Sequence, residues 1–212
     1  MHRRTALSVS AAALLAAAPL LTACGSDAHP GAAAVVGGQR IEVSSLQAQV
    51  KDVRAAQQAS PQSAQLIKET GDLSRQKLHT MIFDRVVDKV AEDNGISASR
   101  GEIQKTRADF ARESGGEKQM ADVLLQQQGV APGRIDDVAR RAVLMNKIAA
   151  KLGVTNTPEG QKKLTETFSQ ASKALKIDVN PRFGTWDDEK IQLATYTAPW
   201  VRQISKAPEQ SL

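Results

Sequence analysis

Large rings are scarce in this sequence: aromatic residues make up 3% of 212 positions, with two tryptophans and one tyrosine. A β-sandwich or barrel draws its core from aromatic and β-branched side chains, so this scarcity argues against both. The apolar fraction is 41%, much of it alanine, which favours helices whose backbones pack closely. One cysteine excludes an internal disulfide and any cysteine-based metal cluster. An unmodified single thiol is also a liability in an oxidising compartment. No long run of one charge sign occurs, so the formal +5 is spread as on a solvated helical surface. Nucleic acid would call for clustered cations interleaved with stacking aromatics, and it is excluded as an expected partner. Also missing are a G-x-S-x-G elbow, a Ser-x-x-Lys set and a glycine-rich phosphate loop. Asp187-Asp188-Glu189 lacks the alternating spacing of a calcium loop and reads as the start of a short exposed turn or helix. The expectation is a chain with no catalytic residues, no cofactor, no metal and no small-molecule substrate.

The N-terminal segment is informative. Arg3 and Arg4 precede the apolar run VSAAALLAAAPLL, which has signal-peptide length and is short for a bilayer span. Leu21-Thr22-Ala23-Cys24 follows and resembles the bacterial lipobox: a branched apolar residue, two small ones and a cysteine. An ordinary secretory signal or a buried helix would also accommodate a cysteine, but here the motif coincides with the only one in the chain. The resemblance implies cleavage after residue 23 and lipidation of Cys24 by diacylglycerol and acyl chains such as palmitate. Two or more acyl chains suffice for stable anchoring, so the expected location is the extracytoplasmic face of the cell membrane. Loss of Arg3 and Arg4 would leave 26 basic against 23 acidic residues, a balance of +3. Residues 24–32, containing GSDAHPG, read as a flexible tether.

Past the tether the pattern is helical. Ala33–Val36 and Gln39–Val43 flank Gly37-Gly38 as two short strands around a tight turn. Ser44 or Ser45 is expected to cap a first helix, which weakens near Pro61. A long helix from about Asp72 to Asn94 carries a wide apolar face that includes Leu78, Ile82, Val86 and Val90. Ser99 and Glu102 spell a capping box for the next, running to about Glu113. Glu117–Gln128 is a short amphipathic helix, Pro132 opens another, and Thr157-Pro158-Glu159 starts a helix toward Leu175. A short strand, Lys176–Val179, precedes Asn180-Pro181. The fold class expected is mostly α, a multi-helix module with a small short-strand element formed near both ends.

Three stretches carry a resemblance. VVGGQRIEVSSL resembles the opening of the N-terminal domain of SurA-type periplasmic foldases. The middle runs RVVDKVAEDNGISASRGEI, then GGEKQMADVLLQQQGV, then RIDDVARRAVLMNKIAAKLGV, and it is similar to that domain's helical order. IDVNPRFGTWD looks like the family's closing VNPRFGxW segment. The domains expected are 1–23 as signal peptide, 24–32 as tether, 33–188 as the SurA N-terminal-like module and 189–212 as an extension. The family has asparagine where Gly37 stands, and a parvulin isomerase domain before the closing segment. Here one helix occupies that interval, so the isomerase activity is not expected. The resemblance implies a chaperone-like module that binds unfolded or exported polypeptides. The competing expectation is an accessory envelope lipoprotein that docks one specific partner; an enzyme of unrecognised type is a third.

Met81, Met120 and Met145 lie on apolar faces of three helices. They either fill the core or, with Ile82 and Leu124, line a client-binding groove, because flexible thioethers suit varied apolar surfaces. Solvent access decides between the two. His79 lacks a second histidine at i+4 and is read as half-buried surface, and His29 belongs to the tether. Phe183 and Trp186 are read as anchors for the closing segment. For Ile191–Leu212, helix and tail both remain open.

Overall fold

A computed structural model describes residues 30–155 and 157–195. The chain opens with strands β1 (Ala32–Val36) and β2 (Gln39–Glu42). Helices α1 (Val43–Gln58), α2 (Ser63–Glu69) and α3 (Leu73–Asp93) follow, then α4 (Arg100–Ser114) and α5 (Glu117–Gln128). A 3-10 turn at Pro132–Arg134 leads into α6 (Ile135–Lys151), and α7 spans Pro158–Leu175. Three short strands close the described part: β3 (Asp178–Val179), β4 (Thr185–Asp187) and β5 (Gln192–Ala194). The mostly helical class read from the sequence holds. Among the described residues no helix is long and apolar enough to cross a membrane.

Gly37 and Gly38 take φ of +58° and +75°, as a two-residue turn with the right twist demands. Gly37 has a second constraint. Its N–H donates to Leu175 O at 2.7 Å, and a Cβ there would sit 2.9 Å from Leu175 Cδ2. The hairpin tip is therefore pressed against the end of α7. On its other side β1 pairs antiparallel with β3, Ala34 opposite Val179, giving the order β2-β1-β3. Asn180 adds to this closure, its N–H donating to Ala33 O and its side-chain amide to Ala32 O. Ala32, Ala33 and Ala34 are fully buried; their small side chains let the strand lie close on Leu78 and Ile82 of α3.

Helix α3 is the axis of the molecule. One cluster joins its Leu78 and Ile82 to Ile41, Leu46, Val179 and Phe183. A second joins Val86, Val87 and Val90 to Leu144 and Ile148 of α6 and Phe168 of α7. Full burial of each such side chain contributes about 1.5–3 kcal/mol, so the wide apolar face explains why this helix is central. The capping box of α4 and the C-terminal return of α3 behave as read. Ser99 Oγ accepts from Glu102 N while Glu102 accepts from Ser99 N. Ile96 N returns to Ala91 O at 2.8 Å beyond Gly95.

Two local expectations are corrected. Neither Ser44 nor Ser45 caps α1; the preceding Glu42 stands at the cap, and Val43 N finds Gly31 O at 2.8 Å instead. Around Pro61 the helix breaks off as expected, α1 ending at Gln58, and a further short helix, α2, follows with Leu66 buried. Arg54 secures that short helix, donating to Thr70 Oγ1 at 2.7 Å and Thr70 O at 2.7 Å. The ordered module also runs past residue 188, since β5 pairs with β4 through Trp186 and Leu193. That finding extends the module into the expected extension and makes its start a strand.

Candidate binding grooves along the central helix

The five residues proposed to receive apolar clients are not gathered by the fold. Ile82 is 0% exposed, Met120 1% and Leu124 8%. Ile82 sits under β1. Met120 and Leu124 fill a cluster with Ala111, Val130 and Ile135, sealed between α4, α5 and α6. These three are core residues, and the groove reading is corrected for them. Spacing had placed them on apolar faces, but those faces are covered by neighbouring helices. Met81 and Met145 are half-buried and lie apart: Met81 borders a polar notch with Arg40, Glu42 and Arg85, while Met145 belongs to an apolar opening. The lipobox residues Leu21, Thr22, Ala23 and Cys24 lie outside the described residues, as does His29.

The apolar opening, about 280 Å³, lies between α3, α6 and α7 and is lined by Phe83, Met145, Leu164, Phe168 and Ile191. Phe83 and Phe168 stack with centroids 6.0 Å apart, and His79 continues the stack 6.2 Å from Phe83. Ile191 adopts φ +52°, a conformation that disfavours a β-branched residue. Its surroundings hold it there. His79 Nε2 donates to Ile191 O at 3.2 Å, and Asp187 Oδ1 accepts from Glu189 N and Lys190 N, both at 3.0 Å. Those backbone donors, Lys190 N foremost, hold the Asp187 carboxyl below the usual carboxylate range. The acidic trio is exposed only in part: Asp187 ends β4, Asp187 and Asp188 are half-buried, and only Glu189 is exposed in the turn.

Below that turn is a polar buckle. Ser172 is fully buried in α7; its Oγ accepts from Trp186 Nε1 at 2.7 Å and donates to Asp188. Trp186 and Phe183 thus anchor the closing segment, one through a hydrogen bond and one through the core.

A wider groove of about 610 Å³ borders the same stretch of β5, between α2, the start of α3 and the end of α5. Five of its lining residues are glutamines: Gln76, Gln126, Gln127, Gln128 and Gln192. Glu69 and Asp72 stand at one end, and Arg75 and His79 along α3. The floor is fixed by Lys77, 6% exposed, whose Nζ donates to Gly129 O at 2.6 Å and lies 3.4 Å from Gln128 O. A cation on the last carbonyls of α5 complements the helix dipole. Burial lowers the pKa of this ammonium from its ordinary value, with Arg141 adding to the effect.

Two further ion pairs tie helices to one another. Arg141 meets Asp84 at 2.6 Å; burial raises the Asp84 carboxyl while the guanidinium opposes that rise. Lys147 meets Glu102 at 2.5 Å, and with the Ser99 bonds it lowers the Glu102 carboxyl to about 2. Both pairs link α6 to its neighbours and leave the two grooves unaltered. Sequence reasoning missed Leu164, Ile191 and the glutamine cluster. The i, i+4 pair Leu164 and Phe168 was a readable signal, whereas the glutamines meet only through tertiary packing.

Comparison with known proteins places this architecture. No curated protein and no solved structure matches the chain significantly. The sequence profile of the SurA-like N-terminal domain matches residues 3–149, from the N-terminal segment through nearly all of α6. Helix α7 and the closing strands lie beyond the match, and the structure itself carries them back onto β1 and α3. With most of its length matched, this chain belongs to the SurA-like N-terminal domain family.

Proposed function

We propose that the chain is a lipid-anchored, extracytoplasmic holding module that binds segments of unfolded or exported polypeptides. Family membership across α1 to α6 carries this reading. Its anchor is Cys24 within Leu21-Thr22-Ala23-Cys24, acylated at the extracytoplasmic face of the cell membrane. Neither isomerase chemistry nor a cofactor enters the proposal: one helix, α7, occupies the interval between α6 and the closing strands. Among described large hydrophobic residues only Ile67 is exposed, at 38%. A broad apolar client surface is therefore replaced by two narrower receptors, the apolar opening at Met145 and the amide-lined groove. Short segments, rather than collapsed apolar masses, are the ligands such receptors fit.

Aggregation suppression tests the holding role. The chain from residue 24 onward, with Cys24→Ser, is mixed with a chemically unfolded protein during dilution from denaturant. Suppression near equimolar ratio supports holding; none at large excess refutes it. Mass spectrometry of the N-terminal peptide, with membrane retention of wild type and Cys24→Ala, tests the anchor separately. The compactness of the apolar opening favours a second reading, docking of one specific envelope partner. In that case bulk suppression is absent while one envelope protein binds saturably at that opening.

A further inference from the structure

Thr195 is the last described residue before the C-terminal 17 positions, and it stands at the rim of the glutamine groove. Its Oγ1 accepts from Arg75 Nη2 at 3.3 Å, while Arg75 Nε donates to Phe183 O at 3.1 Å. Ile191 O meets His79, one turn farther along α3, so β5 runs opposite in direction to that helix. Asp72, Glu69 and Thr70, which lie beyond Arg75 in that direction, line the same groove. At about 3.3 Å per extended residue, five residues beyond Thr195 can reach about 17 Å, roughly three helical turns.

Their chemistry matches what waits there. The segment Tyr196–Lys206 contains two of the protein's three tryptophan and tyrosine residues, together with Val201 and Ile204. Its charges are Arg202 and Lys206, with no acid before Glu209. Glu69 and Asp72 face the groove, and among the described residues neither forms an ion pair. Each glutamine amide carries both donors and an acceptor, as the peptide group does. Five of them can bond an extended backbone whatever its side chains. Pro199 lacks an N–H.

We propose that Tyr196–Lys206 lies in this groove in cis, and that exported polypeptides bind there by displacing it. The second half rests on the polypeptide-holding reading; the first does not. Short tethering gives an effective concentration in the millimolar range, so weak contacts suffice, and an incoming segment has to compete with that concentration.

Disulfide trapping in the full chain, purified in detergent, tests both halves. Gln127→Cys is paired with Val201→Cys; the control pairs Lys162→Cys, on the exposed side of α7, with the same Val201→Cys. A chain carrying only Cys24 corrects for that thiol. The expected result is rapid intramolecular trapping for the groove pair alone, slowed several-fold by Glu69→Lys with Asp72→Lys in a chain of unchanged circular dichroism. Equal rates for the two pairs overturn the seat, as does trapping only as a dimer, which would mark a second copy as occupant. Added unfolded protein should slow trapping. Bound unfolded protein with unaltered trapping overturns the displacement. Trapping intact with no binding refutes the holding role alone.

Discussion

Ser172→Ala removes one oxygen atom and creates almost no cavity, yet we expect it to be among the more damaging substitutions in α7. Ser172 is fully buried, accepts from Trp186 Nε1 at 2.7 Å and donates to Asp188. Without it a half-buried indole N–H and a half-buried carboxylate lose a partner. A buried polar group left unsatisfied costs about 1–3 kcal/mol. Both groups here keep partial access to water, so the lower part of that range applies to each, giving about 2 kcal/mol together. For a chain of this size that corresponds to a fall in melting temperature of about 4–8 °C. Urea denaturation followed by far-ultraviolet circular dichroism should show a lower midpoint at unchanged slope. Trp186→Phe should cost less in the Ser172→Ala background than in wild type, by about 1 kcal/mol of coupling. A loss below about 0.5 kcal/mol, or strict additivity, would refute the view that this buckle holds the closing segment on α7.

Met120→Ala should destabilise the chain by about 2–5 kcal/mol because the site is sealed, whereas Met145→Ala at the rim of the apolar opening should cost much less; thermal melts of the pair check the ranking. Gly37→Ala should be worse than Gly38→Ala: both incur about 1–2 kcal/mol for positive φ, but only the first also meets Leu175, and denaturation midpoints compare them. Glu102 has its carboxyl lowered to about 2 from 4.5, so its contribution is complete above the unfolded value and disappears as pH falls toward 2. Glu102→Gln should remove that part of the acid sensitivity, read as a shallower loss of stability between pH 4.5 and 2.

The sequence revealed most where the physics is local. Period and terminator agreed for α3 and α5, and period and cap for α4, because Gly95, Gly129, and Ser99 with Glu102 all act within one turn of chain. It was silent where a residue's role depends on distant partners. Periodicity put Met120 and Met145 on apolar faces alike; the helix that covers one and leaves the other at an opening belongs to the tertiary fold. Helix α2 escaped notice because seven residues with one buried leucine carry little periodic signal, and its anchor, Arg54, lies in the preceding helix. The positive φ of Ile191 runs against its own preference and follows from the Asp187 turn and His79. The glutamines converge from α3, α5 and β5, three elements with no common sequence pattern.

The pairing of β1 with β3 sets the order in which the molecule assembles. Ala34 must wait for Val179, a partner 145 positions later, so this contact has very high contact order and forms slowly relative to the helices. A chain that emerges N-terminus first can form the β1–β2 hairpin and α1 to α6 while one edge of β1 stays open. Unpaired edges invite association with other chains. During that interval the strand is a receptor for any extended neighbour, and only the arrival of Asp178 and Val179 ends the vulnerability. Truncations that stop before residue 178 should consequently aggregate, although they retain nearly every helix.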